Sequence, residues 1–262
     1  MTDAWDPATY DRFKSERTQP FVDLLDLVEP GPVHRGVDLG CGTGELTALA
    51  ADRLAVASMR GIDNSPAMLA DATPRARPGL TFELGDIERW TSDPVHDLVV
   101  ANASLHWVPD HADVLARWVA GLAPGGQLAV QVPTNADHPS HWLAAEVASG
   151  ERFAADFPDG VPVDPVAANV LPPEAYAELL HDLGCQHQHV RLQVYGHVLP
   201  STASVVDWMS GTSLTRFRRA LPAERYDEFV SEYRDRLLAE LGDHAPYFYA
   251  FKRILMWGQA ST

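Results

Sequence analysis

Eight residues, Val37-Asp38-Leu39-Gly40-Cys41-Gly42-Thr43-Gly44, limit what this chain can fold into more than any others. A short apolar strand runs directly into three alternating glycines. Glycine lets a strand turn sharply and lets the backbone approach a ligand closely, but it loses more conformational freedom on folding than any other residue. Three of them after a strand are costly unless a ligand is held there. A dinucleotide loop places its third glycine three positions after the second, and that position here is Glu45. An acidic turn also suits a pyrophosphate poorly, because such loops work by offering a positive helix end to an anion. The loop is therefore read as holding a ligand without a pyrophosphate.

Around this loop the first two-thirds of the chain alternate strand and helix signals, the habit of a parallel sheet covered on both faces. Helical spacing of Phe13, Phe21, Leu24, Leu25 and Val28 predicts a helix over 10–28. Strands are predicted at 35–39, 58–62, 81–84, 97–101, 127–132, 187–195 and 247–257. Helices are predicted at 44–54, 111–121, 139–149 and 173–182, with Ser65-Pro66 as a helix start. Residues 153–172, rich in Pro and Asp, read as loop, and 201–241 as mostly helical. The expected fold is α/β: a doubly wound, mostly parallel seven-stranded sheet with an inserted helical cap. The expected division is an N-terminal helical arm over 1–30, an α/β core over 31–196 with a loop-rich insert near 133–172, a cap over 197–246, and a final core strand over 247–262.

The net charge of −16 opposes nucleic-acid binding, which needs a basic footprint. No apolar run approaches the roughly 20 residues of a membrane span, so no membrane partner is expected. The start of the sequence has no secretory pattern. Two cysteines, Cys41 and Cys185, are too few for a disulfide framework and are expected as reduced thiols in a cytoplasmic protein. His187 and His189 share one face of a strand near Cys185, but a metal site needs a further matched ligand. An exposed strand is the simpler reading, and no metal is expected.

Three further places carry candidate chemistry. Asp63, with Asn64 beside it, lies one βα unit after the glycines. There an acid accepts ribose hydroxyl protons, or else caps the helix at Ser65-Pro66. Asp86, just past a strand end, can accept from an adenine amino group while Ile87 covers the ring; the alternative is a turn aspartate. The segment Asn102-Ala103-Ser104-Leu105-His106-Trp107 follows the fourth strand, at the edge where open α/β sheets bind ligands. His106 and Trp107 there either face the reaction or pack.

Together these features resemble the class I methyltransferases, which use S-adenosylmethionine. Within that superfamily the chain is similar to the trans-aconitate 2-methyltransferase family. The similarity rests on Trp5-Asp6-Pro7 with Tyr10, Phe13 and Arg17; on the run from Asn102 to His111; and on Leu128-Ala129-Val130-Gln131-Val132-Pro133. It extends through Tyr176-Ala177-Glu178-Leu179-Leu180 and Asp207-Trp208 to Phe251-Lys252-Arg253. The resemblance implies that Gly40, Gly42 and Gly44 line the methionine part of the cofactor. Asp38 orients the loop and reaches toward the ammonium group. Asp63 holds the ribose, Asp86 and Ile87 hold the adenine, and the backbone near Asn102 and Ala103 holds the amino group. Trp5 and Tyr10 would close as a lid, and Arg17 would reach an anionic group. It further implies methylation of a tricarboxylic acid to a monomethyl ester.

A carboxylate acceptor is ionised at neutral pH and needs no general base, whereas a hydroxyl or carbon acceptor needs one tuned near neutrality. His106 is the candidate base, so it separates the two chemistries. The other carboxylates of a tricarboxylate need cationic or hydroxyl partners, for which arginine forks are best suited. Arg216, Arg218 and Arg219 in the cap and Arg253 in the last strand are candidates. Tyr195, Tyr247 and Trp107 are further candidate acceptor contacts.

Overall fold

The computed structural model describes residues 14–92 and 95–262, with side chains from residue 18 onward. Its strands are β1 (Arg35–Leu39), β2 (Ser58–Asp63), β3 (Leu80–Leu84), β4 (His96–Asn102), β5 (Leu122–Pro133), β6 (His187–Leu199) and β7 (Tyr247–Gln259). Its helices are α1 (Lys14–Leu25), α2 (Glu45–Arg53), α3 (Pro66–Ala72), α4 (His111–Ala120), α5 (Pro139–Ser149), α6 (Pro165–Asn169), α7 (Pro173–Asp182), α8 (Ser204–Ser210), α9 (Thr215–Ala220) and α10 (Ala223–Leu241). The strands form one seven-stranded sheet in the order β3-β2-β1-β4-β5-β7-β6. The β1–β2, β2–β3, β1–β4 and β4–β5 pairs are parallel and β5–β7 is antiparallel. The doubly wound, mostly parallel expectation is met.

The chain divides into two compact units. One comprises Lys14–Pro133, Asn169–Gln193 and Arg253–Thr262; the other includes Thr134–Ala168 and Val194–Lys252. This differs from the division expected from sequence, which left the segment near 133–172 with the core. The physical reason lies in the apolar contacts. Leu143, Val147, Phe153 and Phe157 cluster with Trp208, Phe217, Phe229 and Tyr249. A segment that reads as loop by its prolines thus supplies part of a separate core. Residues 153–172 also hold the short helix α6, where a loop was expected. The fifth strand begins at Leu122, so Pro124-Gly125-Gly126 lie within it rather than before it.

In the first unit the two faces of the sheet follow from strand parity. Val37 and Leu39, Val99 and Ala101, Val130 and Val132, and Ile254 and Met256 pack with Val114, Trp118, Tyr176 and Leu180 of α4 and α7. The other face carries Asp38, Asn102 and Gln131. Several buried polar groups of the sheet find long-range partners, as burial favours. Gln127, for example, accepts from the Trp257 indole at 2.8 Å and from the Glu29 backbone N–H at 2.7 Å.

Candidate active site

Strands β1 to β4 run in one direction, so their C-terminal ends share one edge. Register pairs Leu39 with Ile62, Asp63 with Leu84, and Asn102 with Gln131. Gly40, Asp63, Asp86 and Asn102 therefore arrive at one edge of the sheet. From β1 the order passes to β2 and β3 on one side and to β4 and β5 on the other. The crevice at such a reversal is where doubly wound sheets bind ligands.

The glycine loop is built as its composition requires. Gly40, Gly42 and Gly44 have φ of 86°, 53° and 72°, a region that other residues enter only with strain. The reasons for each glycine differ. A Cβ on Gly40 would stand 2.2 Å from Cβ of Ser104, and one on Gly44 would stand 2.5 Å from the Phe82 ring. A Cβ on Gly42 would meet nothing within 4 Å. Gly40 and Gly44 serve close packing, while Gly42 faces open space.

Asp38 is buried, at 3% exposure, and its Oδ2 accepts from Thr47 Oγ1 at 2.5 Å. Burial raises its carboxyl to about 7, opposed by the Thr47 hydrogen bond and assisted by the charge of Asp63. Burial, with Asp38 and Asp63 nearby, also raises the Cys41 thiol, which keeps it protonated. Asp63 holds two backbone N–H groups. Its Oδ1 accepts from the Ser65 N–H at 2.9 Å, and Oδ2 accepts from the Gly42 N–H at 2.8 Å. The helix start is capped instead by Ser65, whose Oγ accepts from the Met68 N–H at 3.2 Å. Asp63 thus pins the loop.

Asp86 is half exposed and accepts from the Glu88 N–H at 2.9 Å. Ile87 is 7% exposed and sits in the main apolar core, whereas Leu84, at the end of β3, is 65% exposed. Asn64 is exposed. Ala103 takes φ of 53° and donates its N–H to Gln131 O at 2.9 Å. Ser104 Oγ donates to Leu39 O at 2.5 Å, tying the loop after β4 to the glycine loop. A non-glycine residue held in that region marks a site whose surroundings enforce it.

His106 is 5% exposed, its ring lies 4.8 Å from that of Trp107, and its carbonyl accepts from Asn169 Nδ2 at 3.0 Å. Arg253, 5% exposed, donates from Nη1 to Gln131 Oε1 at 3.1 Å. In the other unit Tyr195 is buried, and Tyr247 OH lies 3.5 Å from His138 Nε2. Of the three cap arginines, Arg216 is interior while Arg218 and Arg219 are exposed. Trp5, Tyr10 and the side chain of Arg17 lie outside the described residues. Sequence reasoning missed Thr47, Leu84, Ser104 and the pairing of Gln131 with Arg253. Position relative to the strand ends was the signal available for Leu84 and Gln131. Among the described residues no group of three or more His, Cys, Asp and Glu could hold a metal ion.

An acidic loop with an open glycine suits a cationic ligand and not a pyrophosphate. With the doubly wound sheet it defines an S-adenosylmethionine-dependent methyltransferase of class I. A family model described as a methyltransferase domain matches residues 37–126. A trans-aconitate 2-methyltransferase of Acidovorax sp. (strain JS42) is 44% identical over 89% of this chain and 88% of its own length. That of Deinococcus radiodurans is 41% identical over 96% of each chain. The solved YcgJ protein of Bacillus subtilis, 15% identical, covers 94% of this chain and 99% of its own with a TM-score of 0.58, a likeness of fold. The chain belongs to the trans-aconitate 2-methyltransferase family.

Proposed function

We propose that this enzyme methylates one carboxylate of trans-aconitate or a closely similar tricarboxylate, giving the monomethyl ester. The observation that carries this reading is the 44% identity to a relative of that name over 88% of the relative's length. Bound S-adenosylmethionine supplies an activated methyl group on a sulfonium. Asp38 and Asp63 favour that cation and its ammonium group, and Gly42 leaves room for it. Asp63 holds the ribose hydroxyls, and Asp86 with Asn64, Ile87 and exposed Leu84 holds the adenine end. Asn102 and Ala103 shape the edge between cofactor and acceptor.

The acceptor oxygen is ionised at neutral pH, so the enzyme's task is to hold it, partly strip its water and aim it. Trp107 and Arg253 of the first unit are the groups we propose for the acid. Gln131 fixes the Arg253 fork from one side. His106 is not required as a base for this chemistry, so its replacement separates it from the alternative, transfer to a hydroxyl or carbon of a carrier-bound acyl group or natural product. In His106→Ala, turnover of trans-aconitate within a few-fold of wild type supports the carboxylate reading. A loss of about a hundredfold or more, with cofactor affinity intact, would support base-assisted transfer instead. The net charge of −16 supports a small-molecule acceptor rather than nucleic acid. Among the described residues no helix is long and apolar enough to cross a membrane. A cytoplasmic location is part of the proposal, supported by two free buried cysteines.

A further inference from the structure

The second unit buries a polar cluster centred on Asp164. Oδ2 of Asp164 accepts from His141 Nδ1 at 2.9 Å and from Ser213 Oγ at 3.1 Å, and Arg216 Nη1 stands 3.6 Å away. Oδ1 accepts from the Val166 N–H at 2.9 Å. Arg216 is held further by Nε donating to Pro162 O at 3.2 Å and Nη1 donating to Ser213 O at 2.6 Å. The side chains of His141 and Arg216 are 5% and 9% exposed. Yet Nε2 of His141 and Nη2 of Arg216 are buried with no hydrogen-bond partner among the described residues.

A structural ion pair accounts for Nδ1, Nη1 and both oxygens of Asp164. It leaves the outer nitrogen of each basic group unexplained. An unsatisfied buried donor costs about 1–3 kcal/mol, and folded proteins keep few of them. Nη2 of Arg216 can only donate. With Nδ1 of His141 donating to Asp164, Nε2 is an acceptor on the neutral ring and a donor on the charged ring. One ligand chemistry meets both needs. An anion accepts from Nη2 and favours the charged ring, which makes Nε2–H a second donor.

We propose that His141 and Arg216 form a binding site for a carboxylate of a small polycarboxylic acid. The identity of the acid rests on the functional reading above; the anion site rests on the two unpartnered nitrogens. His141→Asn is the informative variant, because an asparagine amide can take the place of Nδ1 beside Asp164 while removing Nε2. Arg216→Lys keeps the charge and removes the fork. Calorimetric titration of the full chain loaded with S-adenosylhomocysteine, using trans-aconitate and inorganic sulfate as probes, is the test.

Each variant is expected to weaken both probes by about tenfold or more, the loss of one hydrogen bond to a charged group. Affinity for S-adenosylhomocysteine should remain that of wild type. If Arg216→Lys fails to fold, His141→Asn carries the test. Variants that bind both probes as wild type does, or a wild type that binds neither, overturn the site. A wild type that binds sulfate through His141 but neither binds nor esterifies trans-aconitate overturns the functional reading and upholds the anion site.

Discussion

Asp38 links burial, protonation and cofactor binding, and replacing it by asparagine exposes that link. Its carboxyl is raised from 3.8 to about 7 in the folded chain, chiefly by burial. A folded-state value above the unfolded one means that the folded chain holds the extra proton between these two pH values. Stability from this group is therefore present below the unfolded value and lost as pH rises through the folded one. A shift of about 3 units corresponds to roughly 4 kcal/mol by pH 8. A cationic cofactor reverses the preference, because it favours the ionised carboxylate. Its affinity should rise by about tenfold per pH unit below 7 and level off above it. In Asp38→Asn both slopes should vanish. At about pH 8 the variant should bind S-adenosylmethionine roughly ten- to a hundredfold more weakly, the worth of a charge-assisted hydrogen bond. Calorimetry in two buffers of different protonation enthalpy gives the proton count directly. Below about pH 7 the wild type should release protons as cofactor binds, and the variant none from this group. Equal proton release and equal pH slopes in the two proteins would refute the reasoning.

The loop glycines should separate by role. Gly40→Ala, whose Cβ would fall 2.2 Å from Ser104 Cβ, should lower stability by more than about 2 kcal/mol in denaturant titration. Gly42→Ala should cost only the roughly 1–2 kcal/mol of its backbone region, while cofactor affinity measured by calorimetry falls further than stability does. Tyr176→Phe should destabilise by about 1–3 kcal/mol without altering kcat, because Tyr176 OH pairs with His111 Nδ1 at 2.7 Å and accepts from the Leu171 N–H at 3.2 Å. Burial depresses His96 and His138 from 6.5 to about 4 and also lowers His111. The unfolded chain then binds more protons in that interval, so the melting temperature should fall as pH drops from 6.5 toward 4.

The parallel half of the sheet was legible because each buried strand is a short apolar run and each helix start carries its own signal. Ser65-Pro66 is an N-cap and first turn in both sequence and structure. The three glycines were legible as a tight loop, and all three take positive φ. Long-range partners were not legible. Nothing local to Ser104 says that its hydroxyl meets the carbonyl of Leu39, 65 positions away. Nothing near Gln131 says that it meets Arg253. The apolar partners within the second unit were not legible for the same reason. The prolines of 153–172 read as loop, while Phe153 and Phe157 join a core completed by Phe217 and Phe229, some 60 to 76 positions away.

The most direct test of the central reading is the product itself. The full chain is incubated with trans-aconitate and S-adenosylmethionine carrying a carbon-13 methyl group, and the label is located by NMR. A single new methyl-ester signal on trans-aconitate, absent without enzyme, is the expected result. No labelled product, or label on a hydroxyl or carbon of another acceptor alone, would contradict it.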